Sequence, residues 1–394
     1  MTAGVEARRL AAQLVGRIDR GGAFSNVVLR TATEGLSSAD RALVYSDVYG
    51  TIRNRLAIDA VIEEASGRQI SAIDPELLDL LRIGVVELKV HGTPPHAAVN
   101  TIVSSVEGRG PRGFLNAVLR KVTRSGDLAP PRLPDWIRRR IETDWGDVAA
   151  FESASLADAP AALRLRPGAP DTGTPVPGLD PARIVDDMAV ARDLVERDLA
   201  SFADPASVAV GMAVGAQPGE RVLDMAAAPG GKTGHLRDSM DRTGLLVATD
   251  NHHRRLKSAQ RRLDDSWIHH LVMDGSRPAF APGSFDRVLL DAPCTGLGTL
   301  RRRPEIMHRI EPASLDALAA LQARLLDAAI DLAKPGGVVV YSVCTVTAAE
   351  TTAVVADRGG RAPIDLPGVD LGSGTMLGPH TTGTDGMFIS VIDT

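Results

Sequence analysis

Between residues 205 and 394, short runs of Val, Leu and Ile alternate with helix-patterned stretches, and this alternation leaves few folds open. The runs are RVLDM (221–225), GLLVATD (244–250), HHLVMD (269–274), DRVLLD (286–291) and GVVVYSVC (337–344). Nearly continuous apolar runs of this length suit strands covered on both faces, so a parallel sheet is predicted. Helical spacing between them is clearest at 254–263 and 314–332, and MFISVI near the end supplies one more strand. In an open α/β sheet of this kind, ligands bind beyond the carboxyl ends of the strands.

The N-terminal third reads differently. ARRLAAQLVGRI, ADRALVYSDVYGTIRNRLAIDAVIEEA, PELLDLLRIGVVELKV, AAVNTIVSSVE and GFLNAVLRKVTRSG all carry apolar residues at three- and four-residue spacing. Breaks are expected at Gly21-Gly22, Gly67, Pro75 and Pro94-Pro95, giving an all-α bundle of about six helices. Residues 126–200 are rich in Pro and Gly. RPGAPDTGTPVPGLDP reads as a turn-rich connection, with a short strand at 162–165 and a helix at 185–200. The length of 394 residues accommodates three such regions, which we divide as 1–128, 129–204 and 205–394.

Composition narrows the classes. No apolar run is long enough to cross a bilayer, and MTAGVEARRLAAQL lacks a secretory hydrophobic region, so a soluble, cytoplasmic protein is expected. A net charge of −5 argues against a nonspecific nucleic-acid coat but permits a local basic groove. Two cysteines, Cys294 and Cys344, are too few for a structural zinc site without help from His or carboxylates, and no metal is expected. On composition alone they would be small buried residues.

Their positions change that reading, because the unusual residues gather at the strand ends. VLDMAAAPGGKT (222–233) follows the first strand and opens a helix; its Ala226, Ala227, Ala228, Pro229, Gly230, Gly231 and Lys232 form a small-residue loop that lets backbone approach a ligand. The spacing is neither that of the dinucleotide fingerprint nor that of the phosphate-binding loop. Asp250 and Asp274 end the second and third strands, suited respectively to ribose hydroxyls and to an adenine amino group. Asp291 and Cys294 follow the fourth strand and Cys344 ends the fifth, so both thiols share one rim with the loop.

These motifs resemble the Sun/RsmB-type RNA cytosine-5 methyltransferases, bacterial relatives of the NOL/NSUN proteins. Their cofactor loop D-x-C-A-A-P-G-G-K-T is matched from Asp224 to Thr233. Their thiol motifs D-A-P-C-S/T-G-x-G and Y-S-T-C-S/T…E are matched by 291–298 and 341–350, and GPHTTGTDGMFISVI resembles their closing segment. ADRALVYSDVYGTIR, LLRIGVVELKV, PPHAAVNTIV and GFLNAVLRKV resemble the NusB-like domain that such enzymes carry. The implied fold is an α/β, Rossmann-like class I methyltransferase domain (205–394) behind an all-α, NusB-like RNA-binding domain (1–128), with a small RNA-positioning subdomain between them.

The resemblance implies S-adenosylmethionine as cofactor, held by residues 226–232 with Asp250, Asp274 and Asp291. It implies a structured RNA, typically ribosomal and by analogy that of the small subunit, as partner; a monomer is expected. It assigns Cys344 as the nucleophile that adds to carbon 6 of cytosine and Cys294 to the later loss of the carbon-5 proton. Asp291 would hydrogen-bond the base near N3 and Lys232 would orient Asp291 or the base. Arg301, Arg302 and Arg303, beside Cys294, are expected to contact phosphates; Arg254, Arg255, Lys257, Arg261 and Arg262 form a second basic cluster, equally suited to a solvated helix face. Ala226 and Val343 stand where the family usually has Cys and Thr, and RLRP (164–167) and FADPAS (202–207) fit the family's upstream segments loosely. Two other readings exist: a non-catalytic RNA-binding factor, which would not need an intact rim, and a methyltransferase for proteins or small molecules, which would not need two thiols.

Overall fold

The computed structural model describes residues 3–394. The chain forms two compact units: the N-terminal part to Asp135 together with Arg302–Arg309, and Trp136–Arg301 with Ile310–Thr394.

The first unit is helical, with α-helices Ala3–Asp19, Ser25–Ala32, Ser38–Arg53, Arg55–Ser66, Pro75–Lys89, Pro95–Ser104 and Arg109–Val122. Its core joins Ile18, Leu29, Val48, Ile52, Leu81, Ile83 and Leu119. Local chemistry sets the boundaries. Asp74 accepts the amides of Glu76 and Leu77 ahead of Pro75, and Gly67 ends its helix at φ 68°. The helical pattern over 39–65 is divided between two helices. Asn54 interrupts it, and its side-chain amide donates to the Gly50 carbonyl at 2.8 Å. The helix Ser25–Ala32 was not legible in the sequence pattern. It is capped from far along the chain, by Glu305, whose carboxylate accepts the Ser25 amide and hydroxyl at 2.9 and 2.8 Å.

In the second unit the turn-rich region holds more structure than its composition suggests. Helices Asp135–Trp145 and Val148–Leu156 precede a small antiparallel sheet ordered Thr174–Pro175, Ala182–Ile184, Ala162–Leu165, Ala200–Phe202. A shorter helix than expected, Met188–Glu196, lies within it.

The main sheet has eight strands: β1 (Arg221–Asp224), β2 (Leu245–Asp250), β3 (Ile268–Val272), β4 (Phe285–Asp291), β5 (Ala333–Val343), β6 (Val369–Asp370), β7 (Thr375–Leu377) and β8 (Met387–Asp393). Their order is β6-β7-β8-β5-β4-β1-β2-β3. The five expected strands are parallel, whereas β8 pairs antiparallel with β5 and extends the sheet through β7 and β6. The sheet is therefore mixed, Rossmann-like on one side and antiparallel on the other. Leu223, Leu246, Val288, Leu289, Val340 and Ile389 are fully buried, as a sheet covered on both faces requires.

Helices Pro205–Val214 and Gly231–Ser239 pack together through Gly211, which lies against the buried ring of His235. A Cβ at position 211 would fall 2.0 Å from His235 Nδ1. Gly211→Ala is expected to lower stability by at least about 2 kcal/mol, read as a denaturant midpoint. Burial, aided by the nearby Arg164 charge, lowers the His235 pKa from 6.5 to about 4. The unfolded chain therefore binds a proton that the folded chain refuses. Stability present above pH 6.5 should be lost as pH falls towards 4, by roughly 3 kcal/mol from this group. Urea midpoints between pH 7 and 4 should fall less steeply for His235→Gln than for the unaltered protein.

Candidate active site

The carboxyl ends of β1, β2, β4 and β5 carry Asp224, Asp250, Asp291 and the Cys344 loop. Parallel register sets Asp291 opposite Ser342, two residues before Cys344. Ser342 donates to Asp291 Oδ1 at 2.9 Å, while Lys232 Nζ lies 2.7 Å from Oδ2. The cofactor-loop lysine and the fourth-strand acid are thus one ion pair. Burial works against the Lys232 charge, but Asp291 more than offsets it and holds the ammonium pKa above its ordinary value.

Beyond these strands the two thiols meet, with Cys294 Sγ 3.4 Å from Cys344 Sγ; both are half-buried and neither is in a disulfide. The hydrogen bond to Cys344, then burial, then the charges of Cys344, Glu350 and Asp291 raise the Cys294 pKa well above that of a free thiol. Two thiols so close resist double ionisation, and of the pair Cys294 keeps its proton.

A buried carboxylate holds both thiol loops. Glu350 Oε1 accepts the Thr295 amide at 2.8 Å and the Gln322 side chain at 3.1 Å. Its Oε2 accepts the hydroxyls of Thr295 at 2.6 Å, Thr345 at 3.1 Å and Thr347 at 2.9 Å. Thr295 and Thr345 immediately follow the two cysteines. The sequence reading named Glu350 only as the end of a motif and did not name these threonines, Gln322 or Ser342. The cluster of threonines around Glu350 was the available signal.

The small-residue loop turns tightly from β1 into helix Gly231–Ser239. Gly230 sits at φ 96°, and a Cβ there would press on Ala259 and Leu263 at 3.2–3.3 Å, so glycine is required. A Cβ on Gly231 would meet nothing within 4 Å, so this backbone lies open to an approaching ligand. The amides of Gly231, Lys232 and Thr233 open the helix and have no intrahelical partner. Asp224 is buried beneath the loop; its Oδ2 accepts the Thr233 hydroxyl at 2.7 Å and its Oδ1 is without a hydrogen-bond partner. Burial pushes its pKa up to about 7. Asp250 is 3% exposed and accepts the His252 amide, whereas exposed Asp274 closes a turn onto Ser276. These acceptors, free amides and open glycine backbone fit an adenosyl amino acid with hydroxyl and amino donors and a carboxylate.

The basic residues divide. Arg301 is not available to an RNA backbone: it is 9% exposed and its guanidinium donates to the carbonyls of Gly383 and Asp158. Arg302 and Arg303 pack with the helical unit, where Arg303 lies over the Phe24 ring. Arg254, Arg255, Lys257, Arg261 and Arg262 are exposed on helix His253–Leu263, and Arg255 reaches the loop carbonyl of Ala228 at 3.2 Å. The loosely fitting upstream segments have internal roles: Arg164 pairs with Asp238 at 2.7 Å, and Asp204 caps helix Pro205–Val214.

Comparison with known proteins agrees with this architecture. Residues 211–393 match the family model of the 16S rRNA methyltransferase RsmB/F, and residues 5–124 match that of the NusB family. A putative methyltransferase of Mycobacterium tuberculosis is 35% identical, over 98% of this chain and 96% of its own length. The ribosomal RNA small subunit methyltransferase B of Xanthomonas campestris is 34% identical, over 87% of this chain and 85% of its own. Among solved structures, PH0851 superposes with a TM-score of 0.81 at 21% identity, covering 100% of this chain and 99% of that one, a likeness of fold. No described helix is long and apolar enough to cross a membrane. The cofactor of such enzymes is S-adenosylmethionine, and by sequence, fold and site this chain belongs to the RsmB/F family of ribosomal RNA methyltransferases.

Proposed function

We propose that this enzyme methylates carbon 5 of a cytosine in small-subunit ribosomal RNA through a covalent bond to Cys344, acting as a cytoplasmic monomer. The observation that carries the reading is the thiol pair at 3.4 Å, next to a lysine–aspartate pair at 2.7 Å, at the ends of adjacent parallel strands. Carbon 5 of cytosine is a weak nucleophile, and a neighbouring sulfur is what makes it reactive.

Cys344 Sγ, as thiolate, forms a bond to carbon 6, and the displaced electron density makes carbon 5 an enamine carbon. Asp291, held by Ser342 and Lys232, faces the N3/N4 edge; the proton that N3 gains comes from the Lys232–Asp291 pair. Residues 226–232 with Asp250, Asp274 and Asp291 would hold S-adenosylmethionine, which when bound would supply the electrophilic methyl group that carbon 5 attacks. Cys294 then takes the carbon-5 proton. The freed pair restores the ring double bond, Cys344 leaves as thiolate, and N3 returns its proton.

The electrostatics support this order. Cys294 holds its proton while it faces Cys344 and is then not available as a base. Once Cys344 is a neutral thioether, that hydrogen bond and that charge are gone, and Cys294 can release its proton to water and act as base. The helical unit and the segment 129–204 would position the RNA, with Arg302, Arg303 and the 254–262 cluster as phosphate contacts. A target in a loop suits such a pocket, because an unpaired base leaves its stack at least cost.

The test is methyl transfer from labelled S-adenosylmethionine to ribosomal RNA from a strain lacking the gene, with the product mapped. Absence of 5-methylcytosine above background on every RNA tried would overturn the proposal. Cys344→Ala should reduce turnover to background. Cys294→Ser should instead accumulate a denaturant-stable protein–RNA adduct, seen as a gel shift; exchanged phenotypes would reverse the two roles. Lys232→Ala should lower kcat by roughly a hundredfold or more in single-turnover assays, with the adduct of Cys294→Ser forming correspondingly slowly.

A further inference from the structure

Away from the catalytic rim, the helical unit gathers three metal-binding side chains. Asp47 lies on helix Ser38–Arg53, Glu87 in the last turn of Pro75–Lys89, and His91 four residues further on. His91 lies just past the end of that helix, its amide still bonded to the Val86 carbonyl at 3.0 Å, which keeps it near Glu87 and Asp47. One ligand atom from each lies within 4.8 Å of the other two.

The second observation is Asp47 itself. It is 0% exposed, and neither carboxylate oxygen has a hydrogen-bond partner. What faces it is a second carboxylate and the His91 ring, with Nδ1 3.4 Å from Asp47 Oδ1. A buried carboxylate without a donor is strongly disfavoured, so this pocket calls for a cation.

The surroundings resemble the outer shell of a metal site. Ser46 Oγ lies 2.9 Å from His91 Nε2; when Nε2 carries the proton and donates it to Ser46, the Nδ1 lone pair faces the carboxylates. Glu87 is oriented by Arg8 Nε at 2.8 Å and by the Thr93 hydroxyl. Arg8 is the cation that bears on both carboxylates, and it pairs directly with Glu87 and not with Asp47. His91, with 22% of its side chain exposed, offers a path from solvent.

We propose that Asp47, Glu87 and His91 bind one zinc-class divalent cation that pins helices Ser38–Arg53 and Pro75–Lys89 together. Two carboxylates and an imidazole, with water as fourth ligand, are a donor set zinc accepts. A proton on Asp47 would fill the same need, and the experiment separates the two.

The full chain carrying Cys294→Ser and Cys344→Ser, so that no thiol competes, is stripped with chelator and titrated with Zn²⁺. Thermal unfolding should rise by roughly 5 °C at a hundredfold excess over Kd, with one ion bound per chain. Co²⁺ should give the visible absorption of a four-coordinate site. Asp47→Asn and, independently, the more exposed His91→Gln should abolish both effects while keeping the far-UV dichroism of the parent. A missing Zn²⁺ response in the parent, or the same response in both variants, would overturn the proposal in favour of the proton or of adventitious binding elsewhere.

Discussion

The catalytic rim depends on one buried carboxylate. Glu350 is 0% exposed, and an unpaired charge at such a depth would be strongly destabilising. It is tolerated because an amide, a glutamine side chain and three threonine hydroxyls converge on it. Those donors come from the loops after β4 and β5 and from helix Ala313–Leu332, so satisfying the charge ties three elements to one point. The carbonyl of Glu350 also accepts the Tyr341 hydroxyl at 2.7 Å, which binds the same point to β5 itself. The approach of the two sulfurs follows from this arrangement: each thiol is one residue away from a threonine fixed on Glu350.

Much of this was legible in the sequence where a local rule and the tertiary fold agree. The five parallel strands were legible because strands buried on both faces read as apolar runs. Helix ends at Gly67, Pro75 and Pro95 were legible because Gly and Pro act locally. The rim was legible because two rare residues fell at equivalent strand ends. What was hidden depends on distant partners. Helix Ser25–Ala32 draws its cap from Glu305, 280 residues away. The helices between 135 and 156 lie next to Pro-rich sequence that suggested a linker. Asn54 ends one helix by a side-chain bond that hydrophobic periodicity does not register. The antiparallel pairing of β8 cannot be read from an apolar run alone.

Arg301 is the instructive case. Three consecutive arginines close to Cys294 read as a phosphate contact, since charge pattern reports residue type and not direction. In the fold the first arginine turns inward to satisfy the carbonyls of Gly383 and Asp158. A guanidinium is well suited to this, because its planar set of donors can serve several acceptors at once. The same sequence signal therefore covers two physical roles, and only burial separates them.

The division of labour between the thiols rested, in the sequence, on resemblance alone; spacing supported the pair and nothing finer. The geometry adds an independent asymmetry. Glu350 and Asp291 both bear on Cys294 and oppose its ionisation, whereas the Lys232 ammonium and Cys344 influence each other favourably. The surroundings of the pair, 3.4 Å apart, therefore keep the proton on Cys294. The proposed division into nucleophile and base calls for such an asymmetry, since both residues are of the same type. In the proposed mechanism, bond formation at Cys344 would remove the thiolate charge that opposes ionisation of Cys294, so the second thiol would become competent after the first had reacted.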